Sequence, residues 1–211
     1  MRLSTPTITD DPLPLSFGTG QVGTEPGAPG PALRPEAVAQ FDALLHELYP
    51  DAVRVDAERV RNLCIWLASM PAQAAQEVLD RRLRRIDELR TMVDDECWDA
   101  PEPVRARLAK LIAYLDKDED LIPDQEPLLG KLDDVLLLEL AWPAFAAEAE
   151  DYRDFCTYRS ESNPIGTGGE QRAAWIRDRL AEIALWQHHM RVNASHYSYS
   201  GHAEKPFQIG G

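Results

Sequence analysis

The densest concentration of chemically useful side chains lies between Asp116 and Asp134, where eight acids and two bases fall within 19 residues. Asp116, Asp118 and Asp120 repeat the opening spacing of a calcium loop, in which carboxylates at positions 1, 3 and 5 converge on one ion. The pattern then fails. Leu121 stands where glycine makes the turn, and Pro127 stands where a bidentate glutamate closes the shell, so an EF-hand is excluded. A less regular oxygen site for Mg²⁺ or Ca²⁺ remains open, with Asp120, Asp124, Asp133 and Asp134 as its metal ligands. The competing reading is structural: the same carboxylates cap helix ends and accept backbone N–H groups or pair with arginine. Converging acids repel one another and need a cation, an arginine or a shared proton.

Other candidate chemistry is thinner. Gly166-Thr167-Gly168-Gly169 could cradle an anion ahead of a helix, but no strand precedes it and no Lys-Ser/Thr follows. It reads as a helix connector. His189, His196 and His202 match no compact metal-binding spacing. Cys97 is surrounded by Asp94, Asp95, Glu96 and Asp99, which disfavour its thiolate. The basic run Arg81-Arg82-Leu83-Arg84-Arg85 has Glu77, Asp80 and Glu88 at four-residue spacings, which reads as a solvated, salt-bridged face.

The elements that position these residues are helical. Apolar spacing predicts an all-α fold, a single bundle of about six helices, with no convincing strand. Phe41, Leu44, Leu45 and Leu48 form a first stripe after Pro35, and Asp56 caps a second carrying Val60, Leu63, Cys64 and Leu67. A third helix runs from about Ala72 to Val93, with Leu79, Leu83, Ile86 and Val93 inward. A fourth carries Val104, Leu108, Leu111, Ile112 and Leu115. The fifth starts near Leu132 and is apolar on every side from Val135 to Ala147 except at Glu139, as expected of a central helix kinked at Pro143. Arg105, Arg107 or Lys110 is the expected partner of that glutamate. A sixth points Ile176, Leu180, Ile183 and Ala184 inward, with Trp175 and Trp186 on nearly one face.

Residues 1–35 hold seven prolines and five glycines and are expected to be disordered, with Pro12–Phe17 a minor candidate partner motif. Residues 36–192 form the helical domain, and residues 193–211 read as a flexible C-terminal tail. No signal peptide or membrane span is legible, because the longest apolar stretch is too short and is interrupted by Glu139 and Pro143.

At the acidic segment the chain resembles a known family. Tyr114-Leu115, Asp120-Leu121-Ile122-Pro123-Asp124, Gly130 and Leu132-Asp133-Asp134 are similar to the signature of the YkvA-like domain, a small helical domain of unknown function in bacteria. The resemblance covers residues 108–145 and implies a helix, an Asp-rich turn and a second helix, without implying a reaction. Many members look membrane-associated; this chain instead carries Asp116-Lys117-Asp118-Glu119 beside the motif and reads as soluble.

Thirty-six acids against 22 bases leave a net charge of -14. That balance argues against non-specific nucleic-acid binding and against adhesion to an anionic bilayer. Three scattered cysteines exclude a disulfide scaffold and a zinc ribbon and fit a cytoplasmic protein. The sequence thus points to a non-enzymatic interaction or adaptor module with a protein partner. Two alternatives stand beside it: a divalent-metal protein or hydrolase using the Asp-rich turn, and an acidic inhibitor or immunity protein that masks a basic partner.

Overall fold

The computed structural model describes residues 13–14, 32–117, 121–123 and 125–199, with side chains to residue 195. Among them are seven α-helices and one 3₁₀ turn, and no strand. These are α1 (Pro35–Leu48), α2 (Ala57–Ala68), α3 (Ala72–Asp94), α4 (Glu102–Leu115), α5 (Leu132–Ala141), η1 (Trp142–Ala144), α6 (Ala146–Ser162) and α7 (Gly168–Tyr199). The seventh helix arises at Pro143. The expected kink is a full break, with η1 and Phe145 separating α5 from α6, because proline removes a helical N–H donor and its ring crowds the preceding turn.

The chain forms two compact units, Met1–Glu96 with Ala100–Arg153, and Cys97–Asp99 with Asp154–Gly211. In the first, α5 packs against α1, α3 and α4. Leu132 to Leu138 and Ala141 are all buried, as an all-round apolar helix requires. Helix starts follow local chemistry. The Asp56 carboxylate accepts the Arg59 N–H at 2.9 Å to cap α2, and prolines precede or open α1, α3 and α4. Asp42 ties α1 to the connection that follows, accepting the Val55 N–H at 2.8 Å and the Arg54 guanidinium at 2.6 Å. Burial pushes the Asp42 carboxyl up, but the Val55 N–H, Arg54 and His46 outweigh it and hold the group below its ordinary value.

The inward face of α3 differs from the expected one. It consists of Ala75, Leu79, Arg82, Ile86, Leu89 and Met92, whereas Val93 is exposed and Leu83 only half-buried. Arg82 therefore leaves the solvated face assigned to its basic run. Its Nε donates to Glu139 Oε2 of α5 at 2.7 Å, and its Nη1 donates to the Val78 carbonyl at 3.2 Å. Glu139 thus pairs with Arg82 and not with the expected α4 cations. Arg105 binds Glu102, Lys110 binds Glu47, and Arg107 reaches the Pro103 carbonyl. The other Glu139 oxygen accepts the backbone N–H of Leu13 at 2.6 Å, and Leu13 itself is buried. Arg85 of the same run stacks over Trp142 at 5.0 Å, and Glu88 pairs with Arg153 at 2.6 Å.

The second unit is built on three rings. Trp98, Phe155 and Trp175 pack with centroids 5.3 to 6.0 Å apart, and Trp175 Nε1–H donates to Asp154 at 2.8 Å. Arg172 lies over Trp98 and Arg179 over Trp175. Beyond Trp175 the expected inward stripe of α7 is exposed instead: Ile176, Leu180 and Ile183 are 39%, 60% and 44% accessible, Ala184 is exposed, and so is Trp186. The helix also continues past Asn193, where the sequence places the start of a tail. A long helix can propagate beyond its packed portion because each added residue gains one hydrogen bond once a nucleus exists.

Two outcomes follow for stability. Removing either member of the Arg82–Glu139 pair strands a buried charge, so Arg82→Met or Glu139→Leu alone should destabilise by about 3–5 kcal/mol in urea unfolding. The double variant should be distinctly milder than the sum. Asp42, with a lowered folded value, contributes stability above its unfolded value near 4 that is lost as pH falls through the lower folded one. An Asp42→Asn variant should show a flatter stability profile below about pH 4 than the parent chain.

Candidate functional site

The acidic segment joins α4 to α5. Two of its four candidate ligands, Asp120 and Asp124, lie outside the described residues, so the expected convergence of four acids is seen only through Asp133 and Asp134. Those two open α5 in its first turn, where negative charge is favoured by unsatisfied N–H groups and the helix dipole. Both are deeply buried, with 1% and 3% of their surfaces accessible.

Asp133 acts as a clasp. Its Oδ2 accepts the Tyr114 hydroxyl at 3.0 Å and the Ile122 backbone N–H at 3.2 Å. One carboxylate oxygen therefore fastens the end of α4, the turn and the start of α5. The apolar members of the same segment, Leu121, Ile122 and Leu132, are buried around it. Tyr114 also meets Phe41 of α1 edge-to-face at 5.8 Å, which anchors the clasp to the core. Asp134 has Lys131 Nζ 3.3 Å from its Oδ2. Asp116 is directed elsewhere, pairing with Arg90 of α3 at 2.5 Å. The turn includes Leu128 at φ 67°, a left-handed conformation that costs a non-glycine residue about 1 kcal/mol and persists where its surroundings fix it.

The charge of Asp133 reaches Cys64 on α2. Burial, and secondly that carboxylate, push the thiol up to about 12, partly offset by a backbone hydrogen bond. Cys64 is therefore a thiol at neutral pH and no nucleophile. None of the three cysteines is in a disulfide. A small hollow near the clasp's helix, lined by Val53, Val55, Arg59, Leu136 and Leu140, has room for about one water.

The glycine loop behaves as a connector. Gly166 has φ 117°, and a Cβ there would sit 2.7 Å from the Glu170 carboxylate, so glycine is required. Glu170 Oε2 accepts the Thr167 N–H at 2.8 Å and its hydroxyl at 3.1 Å, and these bonds hold the carboxyl below its ordinary value. A carboxylate of the chain itself thus occupies the position that an anion would take. Of the candidate histidines, His189 is on exposed α7, while His202 and the side chain of His196 lie outside the described residues. Among the described residues no three His, Cys, Asp or Glu side chains gather in a metal-holding group, and no helix is long and apolar enough to cross a membrane.

The arrangement defines an all-α protein with an acid-clasped helix–turn–helix and a long, partly uncovered last helix. Compared with known proteins, the chain matches no family model, and no curated protein or solved structure is significantly similar to it.

Sequence reasoning missed Arg82 and the outer face of α7. Arg82 carries a readable signal, because it falls in register with Ala75, Leu79, Ile86 and Leu89 at steps of three and four. The burial of Leu13 has no periodic signal at all.

The clasp is testable through its donors. Asp133→Ala deprives Tyr114 and Ile122 of their buried acceptor and should destabilise by about 2–4 kcal/mol, while Tyr114→Phe should cost about 1 kcal/mol. Denaturant midpoints of the two variants and of their combination measure the coupling.

Proposed function

We propose that this chain is a non-enzymatic interaction module whose Asp-rich turn is a structural clasp and whose contact surface is the exposed face of α7. The observation that carries this reading is the run Ile176, Leu180, Ile183, Trp186 and Met190, five large apolar side chains between 39% and 60% accessible along one side of a helix. Exposed apolar patches of this kind mark interaction sites more often than they occur by chance. The internal hydrogen bonds of Asp133 support a structural role for the signature residues. Membership in the YkvA-like group is proposed on the same ground, since its Tyr114, Ile122 and Asp133 meet in one hydrogen-bonded cluster. A cytoplasmic location belongs to this reading and is supported by the cysteines standing outside disulfides.

Native co-purification with the full chain tests it. Leu180→Asp with Trp186→Ala should lose bound protein, self or foreign, that the parent chain retains, with helicity unchanged by circular dichroism. Equal binding by both chains, or binding by neither, sinks the proposal.

A divalent-cation site is the second reading, favoured by the two adjacent buried carboxylates Asp133 and Asp134. On that reading Mg²⁺, Ca²⁺ or Mn²⁺ at a hundredfold excess over Kd adds about 2.7 kcal/mol and raises Tm by several degrees. Asp134→Asn should abolish the rise. An unchanged Tm in the parent chain removes the cation reading.

A further inference from the structure

Past Trp175, α7 is exposed on every side through Ser195, and one of its sides has the spacing of a two-stranded seam. Ile176, Leu180, Ile183, Gln187 and Met190 follow one another at steps of four, three, four and three, and Ala173 extends the series toward the helix start. A stripe with this spacing is what a coiled-coil partner covers; Leu185 and Val192, also exposed, lie off it on the opposite side. The stripe lies about 100° around the helix from Trp175, which is packed against Trp98 and Phe155. A partner can therefore occupy it without displacing that cluster.

We infer that the partner is a second copy of this chain, its α7 laid antiparallel on the first about a two-fold axis between Ala181 and Glu182. This deepens the interaction reading above and rests on it. Antiparallel pairing about that axis sets Leu180 against Ile183 of the other copy, twice, at the centre. It sets Ala173 against Met190, small against large, and Gln187 against Ile176 at the flanking layers. The edges agree in charge. Glu170 faces Arg191 at each end and Arg177 faces Ala184, while on the other edge Arg172 and Arg179, held over their own Trp98 and Trp175, meet the uncharged Asn193 and Trp186. Parallel pairing instead brings the Arg172 and Arg177 edges together, stacks two glutamines at one layer and leaves Glu170 without Arg191, which favours the antiparallel arrangement. Only one oxygen of Glu170 is engaged by Thr167, so the carboxylate retains acceptor capacity for a guanidinium.

The area is sufficient. From their fractional exposures, Ile176, Leu180, Ile183, Trp186 and Met190 present on the order of 500 Å² per copy, so full cover of all five buries about 1,000 Å² in total, the size of a weak, reversible pairing. A closed two-fold uses the same patch on both copies and leaves none of it open for further growth.

Sedimentation equilibrium of the purified full chain across about 1–100 μM tests the inference. The expected result is a reversible dimer that Leu180→Asp converts to monomer. Because Leu180 is 60% accessible, that variant should keep the parent's helicity. Arg191→Glu should weaken the dimer about tenfold, and adding Glu170→Arg should restore it, since the swap recreates the opposite-charge pair only in the antiparallel register. A chain that is monomeric throughout, a dimer indifferent to Leu180→Asp, or an Arg191→Glu defect that Glu170→Arg fails to repair each overturns it. A monomer whose α7 face retains a foreign protein overturns the self-pairing alone. A face that retains nothing overturns the interaction reading as well.

Discussion

The ion pair between Arg82 and Glu139 is the constraint on which the first unit turns. Two charges on two central helices are buried together, with 6% and 16% of their side chains accessible. Taking such ions out of water is costly, and their attraction offsets that only when the geometry is good and the remaining polar atoms are satisfied. Here Glu139 takes the guanidinium on one oxygen and the Leu13 N–H on the other, while Arg82 also reaches the Val78 carbonyl. A pair of this kind adds little net stability over a hydrophobic substitute, but it penalises every arrangement in which α3 and α5 slip relative to each other. Between Val135 and Ala141 the helix offers no other polar register mark, since Val135 to Leu138 and Ala141 are buried apolar residues.

Asp133 performs a related task at the other end of the same helix. Its oxygen gathers a side-chain hydroxyl from α4 and a main-chain N–H from the turn, so the connection is fixed by polar contacts that an apolar core could not supply. The acids of the segment have different occupations. Asp133 closes the turn, Asp134 stands near Lys131, and Asp116 reaches back to α3. These three described acids are divided in space among separate partners.

The helical class, and most helix limits, were legible because local signals agree with tertiary need: Asp56 as a cap, prolines at helix starts, and the all-apolar α5 as the central rod. What was not legible depended on information that periodicity does not carry. The basic run on α3 offers four arginines and equally spaced acids, and local pairing rules assign all four to solvent, although a core position existed for one of them. The Asp-rich hairpin brings α4 near Glu139 in sequence and so points to its cations, whereas the partner comes from α3, 57 residues away. The stripe on α7 reads as inward because amphipathic spacing reports that a face is to be covered, and not by what. Of the acidic site, the placement of Asp133 and Asp134 at the start of α5 was legible, whereas the hydrogen bonds of Asp133 to Tyr114 and Ile122 depend on how α4 and the turn fold back.

Cys64 gives the interior a chemical reporter. With its thiol held near 12 and 2% of its surface accessible, the native protein presents almost no thiolate to an alkylating reagent at neutral pH. Modification of that sulfur must wait for α2 to part from its neighbours, at which point the group regains ordinary acidity near 8.5 and reacts quickly. The rate at which it is consumed therefore counts the openings that expose α2 in the resting protein, local and global together, without any denaturant.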